Sequence, residues 1–391
     1  MKFDKYISYY YPQLMFFALF LTLFKRIKCS ISLTYPSAFV LPNNNFFVIE
    51  KNGIFVFDSE FKNIIKSFIF DEEEQINNLS KLSEVIIKYY NTYLICLINS
   101  KIYLFDNTGN QFLFKSDKII EEDNYFYPTL APLFIKNDKY YFVIGYFLPS
   151  NKLQLILFSI NLSSYLNQKI FEFTQEVFKS SFWSNEYNFE TNGLSCEYML
   201  DDYRFTYYYL VCFFIIKKGE KKVLTESFYE VSESNIKKSQ SFINSYIEDI
   251  ENTILIKTIT TRNLRNALVS LLLSTNTIKY YQFNFKYNSL FNNNFYEITY
   301  TNLICKIGLY SMKLYYVTNN DNNIILSCIS PNSTVQAIIF SDNLTIISVH
   351  EQFPTCQLIY GHTIVFSSIY DKYYIISDIV CGNHIRIFEP L

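Results

Sequence analysis

Glycine is scarce in this chain, eight residues in 391, and proline contributes only nine. Neither G-x-G-x-x-G nor G-x-x-x-x-G-K-[ST] occurs, so neither the dinucleotide nor the phosphate-loop fingerprint can be built. The G-x-S-x-G nucleophile elbow is missing. So are the kelch double glycine and the WD dipeptide, the marks of two propeller classes. The single tryptophan, Trp183, does not satisfy the sialidase pattern S-x-D-x-G-x-x-W. Histidine is limited to His350, His362 and His384, which argues against a His-built metal site or catalytic centre. No C-x-x-C occurs, which removes support for zinc and thioredoxin-type chemistry. Neither sign of charge dominates: Lys+Arg 34 against Asp+Glu 36 gives a net charge of −2. A basic footprint for nucleic acid is therefore absent.

What the chain has in abundance is aromatic side chains, 39 Phe and 35 Tyr, within a hydrophobic fraction of 50%. Intrinsic disorder is excluded, because disordered chains are poor in such residues. The length suits several ordinary domains or one large all-β domain.

The N-terminus reads as a targeting segment. Lys2 and Lys5 precede an apolar stretch, Leu14 to Phe24, of signal-peptide length and short for a membrane span. Cleavage after Cys29 places Ile27 and Cys29 at the specificity positions, giving a signal peptide over 1–29 and a mature start at Ser30. The rival is an uncleaved anchor extended back through Tyr9-Tyr10-Tyr11, favoured by Lys25, Arg26 and Lys28. Tyr207 to Ile216 is too short to span a membrane. Membrane attachment thus requires the uncleaved anchor, or a C-terminal anchor in a longer protein than the one ending at Leu391.

In an oxidising compartment most cysteines pair. With Cys29 removed, the local pairs are Cys196 with Cys212, Cys305 with Cys328, and Cys356 with Cys381, leaving Cys96 over. The competing expectation is buried thiols, since free Cys packs as a small hydrophobe. Four sequons, at Asn78, Asn161, Asn332 and Asn343, add little in an Asn-rich chain.

The dominant pattern is an apolar run, a short polar turn and a second apolar run, rich in residues that suit a pleated surface. Phe46 to Ile49 turns at Lys51-Asn52-Gly53 into Ile54 to Phe57, and Asn-Gly suggests a tight turn. Comparable turns lie at Asn99-Ser100, Pro149-Ser150-Asn151, Lys217-Lys218-Gly219, Ser274-Thr275-Asn276, Asn319-Asn320-Asp321 and Tyr370-Asp371-Lys372. The mean interval is about 53 residues, near the period of propeller repeats. Units one and two share detail: Ile54-Phe55-Val56-Phe57-Asp58 matches Ile102-Tyr103-Leu104-Phe105-Asp106. The expectation is an all-β chain, a seven-bladed β-propeller over 30–391. Residues 31–45 would supply an outer strand closing the ring. An insertion is expected at about 174–203, with an extra hairpin from Leu194 to Phe214. The alternative is two β-sandwich domains, divided near 174–192. Ser234 to Asp249 reads as a loop or a short helix, and Asp71-Glu72-Glu73-Glu74 as a solvated loop.

No local constellation marks a catalytic, cofactor or metal site. Asn319 to Asn323 lacks the alternating acidic ligands of a calcium loop. Cys356 near His362, and Cys381 near His384, lack an orienting third group and read as structural.

Three stretches resemble secreted or surface proteins of apicomplexan parasites, some carrying EGF-like modules. They are Asn192-Gly193-Leu194-Ser195-Cys196-Glu197-Tyr198, Tyr209-Leu210-Val211-Cys212-Phe213 and Tyr373 to Cys381. A composition rich in Asn, Ile, Lys, Tyr and Phe agrees with an AT-rich protozoan coding sequence. The resemblance implies EGF-like repeats and an anchor beyond residue 391. The functional expectation is a secreted or surface-exposed, non-enzymatic ectodomain that binds a protein or glycan partner and needs no cofactor. The alternative is a carboxylate-based hydrolase on a propeller scaffold.

Overall fold

A computed structural model describes the backbone of residues 37–388 with breaks, those of more than six residues at 72–85, 177–192, 201–207 and 285–294, and side chains up to residue 350. The expected signal peptide, 1–29, lies outside the described residues, as do Trp183, Cys356 and Cys381.

Among the described residues, twenty-eight strands form seven antiparallel sheets, nearly all with strands adjacent in sequence paired in space. Sheet one is β1 (Ser37–Val40), β2 (Phe46–Glu50), β3 (Gly53–Phe57) and β4 (Ile64–Ile69). Sheet two is β5 (Ile86–Tyr90), β6 (Tyr93–Ile98), β7 (Lys101–Asp106) and β8 (Phe112–Lys115). Sheet three is β9 (Phe126–Lys136), β10 (Lys139–Phe147), β11 (Lys152–Asn161) and β12 (Asn167–Glu176). Sheet four is β13 (Leu194–Leu200), β14 (Tyr208–Lys218), β15 (Lys221–Val231) and β16 (Ile236–Lys238), with β17 (Tyr246–Ile247) also paired to β15. Sheet five is β18 (Thr253–Thr260), β19 (Asn266–Leu273), β20 (Ile278–Asn284) and β21 (Phe295–Glu297). Sheet six is β22 (Met312–Tyr316), β23 (Ile324–Ile329), β24 (Val335–Phe340) and β25 (Ile346–Gln352). The last is β26 (Ile359–Ser367), β27 (Lys372–Ile379) and β28 (His384–Phe388).

First strands of successive sheets lie side by side, β5 with β9, β9 with β13, β13 with β18 and β18 with β22. β1 lies beside β26, which brings the two ends of the array together. This is the arrangement of a β-propeller, with first strands around the axis and fourth strands at the rim. It overturns the two-sandwich alternative, because no pair of large sheets exists to stack. The expected count of seven blades is corrected to six complete blades of four or five strands. The remaining sheet has three strands among the described residues.

The packing explains the sequence pattern. Middle strands are buried on both faces, between the sheets on either side, so they read as continuous apolar runs rather than alternating ones. Every side chain of β23 is buried, whereas β4 at the rim is almost wholly exposed. Aromatic rings join neighbouring sheets: Phe47 meets Phe105 edge-on at 4.9 Å, and Phe213 meets Phe283 likewise at 4.9 Å. Such pairs add modestly to their area burial.

Several local expectations are corrected. Ser37–Val40 is the inner first strand of sheet one, not an outer closing strand. Leu194 to Phe214 is no extra hairpin. It holds the first two strands of sheet four, in register from Leu194↔Phe214 to Leu200↔Tyr208. Within the expected insertion, residues 174–176 belong to β12 and 194–200 to β13, and 177–192 and 201–203 lie outside the described residues. Part of Ser234 to Asp249 forms β16 and β17, because β15 offers it an unpaired edge. Gly53 opens β3 opposite Glu50 instead of sitting in the turn. Its missing side chain serves close approach: a Cβ there would meet the Phe68 carbonyl oxygen at 2.3 Å. By contrast, Asn99 and Ser100 both take positive φ, 49° and 63°, between Ile98 and Lys101, as a two-residue hairpin turn demands.

Candidate functional site

The first strands around the axis are largely apolar, yet β5, β13 and β18 each carry a charged residue in mid-strand. Lys88 lies on β5 after Ile86, which packs toward sheet three, and shares its side of the strand. Glu197 lies on β13 between Cys196 and Tyr198, which face sheet three, so Glu197 points the other way, toward sheet five. Lys257 lies on β18 between Ile256 and Thr258. Leu255 and Ile259 flank it on its own face and pack against sheet six. In all three sheets the charged side chain leaves the inner strand toward the following sheet.

Lys88 reaches past sheet three to Glu197, with Nζ 2.6 Å from Oε1. Glu197 is nearly buried, its side chain 6% exposed, while that of Lys88 is 23% exposed. Thr258 supports the same carboxylate: its hydroxyl reaches Glu197 Oε1 at 3.3 Å and bonds the Ser195 hydroxyl at 2.5 Å. One residue away, the Cys196 backbone N–H donates to Thr129 Oγ1 on β9 at 2.9 Å. Burial raises the Glu197 pKa above the usual carboxylate value, against the opposing pull of Lys88 and Thr258. Burial, and then the nearby Lys88 charge, push Lys257 down to about 8. Desolvation and like charge both disfavour an ammonium, which is why the two causes act together here.

The predicted cysteine sites are placed as follows. Cys196 and Cys212 form a disulfide with Cα atoms 4.0 Å apart, and Cys305 and Cys328 form another at 5.8 Å. Cys96 is a free, buried thiol whose pKa burial raises. The first bond sits between sheets three and four against Gly145, where a Cβ would lie 3.6 Å from Cys196 Sγ. His350 shares a hydrogen bond with Ser348 at 2.8 Å, and burial lowers its pKa. Only the backbones of His362 and His384 are described, in β26 and β28. Among the described residues no group of three His, Cys, Asp or Glu gathers to hold a metal, and no helix is long and apolar enough to cross a membrane.

Sequence reasoning missed Lys88, Lys257 and Thr258, and met Glu197 only in passing. The signal that finds them is a lone charge inside an apolar strand: Ile86-Ile87-Lys88-Tyr89-Tyr90, Ser195-Cys196-Glu197-Tyr198 and Leu255-Ile256-Lys257-Thr258-Ile259. A charge in such a setting needs a partner or water, and only the fold tells which.

No protein-family model matches the chain. No curated protein matches it either. Solved structures that resemble it include the WD40 domain of SCAP from fission yeast, at 10% identity and TM-score 0.43, covering 91% of this chain and 92% of that one. AofleA from Arthrobotrys oligospora matches at 10% identity and TM-score 0.43, over 78% of this chain and 83% of that one. A mutant Aleuria aurantia lectin in complex with alpha-methyl-L-fucoside matches at 10% identity and TM-score 0.41, over 78% and 93%.

Proposed function

We propose that the protein is a secreted or cell-surface binding domain with no catalytic activity of its own, which takes a protein or glycan partner at the axial channel. The observation that carries this reading is the convergence of Lys88, Glu197, Thr258 and Ser195 from three sheets onto one polar cluster within an otherwise apolar inner wall. Ligand sites typically combine apolar walls with a few placed polar groups that fix orientation. The two disulfides support an oxidising compartment, where such bonds persist.

The carboxylate-hydrolase alternative calls for two carboxyl groups flanking one bond. Glu197 instead has an ammonium and a hydroxyl as its partners, which favours recognition over hydrolysis. The test is a glycan and surface-protein binding screen with the disulfide-intact chain, alongside Lys88→Met. Saturable binding weakened by Lys88→Met supports the proposal. Turnover of a glycoside, abolished by Glu197→Gln, overturns it.

A further inference from the structure

The channel cluster is one negative charge short. Lys88 and Lys257 are two cations, and Glu197 is one anion already engaged by Lys88. Among the described residues Lys257 has neither an ion-pair nor a hydrogen-bond partner. An ammonium half-removed from water without a counter-ion costs free energy, and that cost is relieved when an anion arrives. A second, independent observation points to the same place. Ser270 on β19 is the register partner of Lys257 and lies on the same face, between Leu268 and Leu272. It is fully buried, and its hydroxyl has no hydrogen-bond partner. Cross-strand partners stand about 5 Å apart at Cβ, so an unmatched donor sits beside the unmatched cation. Few buried hydroxyls are left in this state.

We propose that the channel beside Lys257 binds a carboxylate group, with Lys257 as its counter-ion and Lys88 adding to the positive field. This deepens the reading of the channel as a binding site and rests on it. A monoanion brings the cluster to neutrality. A dianion overshoots and meets the Glu197 carboxylate, which selects a carboxylate over a phosphate monoester. Solvent reaches the site, since Lys88 and Lys257 are both partly exposed. The lowered pKa of Lys257 agrees with an ammonium that lacks its anion. A bound carboxylate raises it again, because opposite charge favours the charged form.

The carboxylate is carried either by a small free acid or by an acidic sugar, and calorimetric titration with the disulfide-intact chain distinguishes the two. The probes are acetate, glucuronate and neutral glucose, each against sodium chloride at equal ionic strength. Saturable binding of a carboxylate is expected, weakened about tenfold or more in Lys257→Met, as loss of one charge-assisted contact implies, and restored in Lys257→Arg. Glucuronate binding tighter than acetate assigns the acidic sugar; equal affinity assigns the small acid. Lys257→Gln serves as a second uncharged variant should Lys257→Met fold poorly. Carboxylates behaving as chloride does, or binding Lys257→Met as tightly as the parent, overturn the proposal. Neutral glycans bound with no preference for a carboxylate overturn it while leaving the binding role intact. No carboxylate bound at all overturns it, and the glycan and surface-protein screen then decides the binding role separately.

Discussion

Cys196 and Cys212 are register partners on β13 and β14, directly opposite each other and joined by a disulfide. Their strands meet through residues 201–207, so the bond closes a short local loop, with a sequence separation of 16. A loop of that size corresponds to about 3 kcal/mol in the chain-entropy model. Cys196→Ala with Cys212→Ala is expected to lose about that much in denaturant unfolding. Peptide mapping without reductant should recover the 196–212 cross-link. Recovery of Cys196 as a free thiol, or joined to Cys96, would contradict the pairing.

The Lys88–Glu197 ion pair predicts strong asymmetry between its single and double variants. Lys88→Met strands a nearly buried carboxylate and should cost about 3 kcal/mol at neutral pH. The double variant Lys88→Met, Glu197→Gln removes both charges and should cost clearly less. Without Lys88 the folded-state pKa of Glu197 rises further, so the fold holds the proton that the unfolded chain releases. Stability of Lys88→Met relative to the parent should therefore recover as pH falls toward about 4–5 and shrink as pH rises past the Glu197 pKa. A pH series of unfolding midpoints checks it. A relative loss that does not change with pH would mean that Glu197 is not the stranded group.

Lys257 carries the opposite sign. Its folded-state pKa, about 8, lies below the ordinary lysine value. The unfolded chain thus binds the proton more tightly between about pH 8 and pH 10, and stability contributed through this group rises with pH there. Lys257→Met should be more stable than the parent at pH 7, by about 2 kcal/mol, and the gap should narrow by pH 9.5. Comparing the two proteins at each pH cancels the groups they share. These include Cys96 and the buried tyrosines, whose raised pKa values pull the other way. A constant gap would rule out a desolvated ammonium at this position.

Cys96 is buried in β6, with a thiol pKa raised by desolvation. The thiolate is the nucleophile. Maleimide at neutral pH should leave Cys96 of the native protein unlabelled and should modify it once the chain is unfolded without reductant. Mass mapping of the label reads both points. Rapid labelling of native Cys96 would contradict its burial.

The second and third strands were the legible part of the fold. In sheets one to five the recognised hairpins are those middle pairs, whose residues are buried on both faces and stand out as unbroken apolar runs. In the last two sheets the recognised turns, near 320 and 371, fall between first and second strands instead, β22 with β23 and β26 with β27. Nothing in an apolar run marks its place in the meander, so the phase slipped although the period held. The shared Asp58 and Asp106 were visible as a repeat, and the structure supplies the reason. Each accepts the backbone N–H five residues on, from Asn63 and Gln111, capping the turn into the fourth strand. Rim strands were poorly legible because exposure relaxes their composition. The channel cluster was not legible, since Lys88 and Glu197 are 109 residues apart and only the radial order of the sheets unites them.

The meander order of the sheets bears on how the ring assembles. Sheet pairing among the described residues stays within a blade, so each blade can form from local contacts with little loop-closure cost. Seating β1 beside β26 is different: these strands are far apart in sequence and share no ladder of backbone hydrogen bonds among the described residues. Local contacts favour fast folding and distant ones slow it. The docking of two finished blades, flank to flank, is therefore the step expected last, and that seam is where a partly assembled ring would remain open.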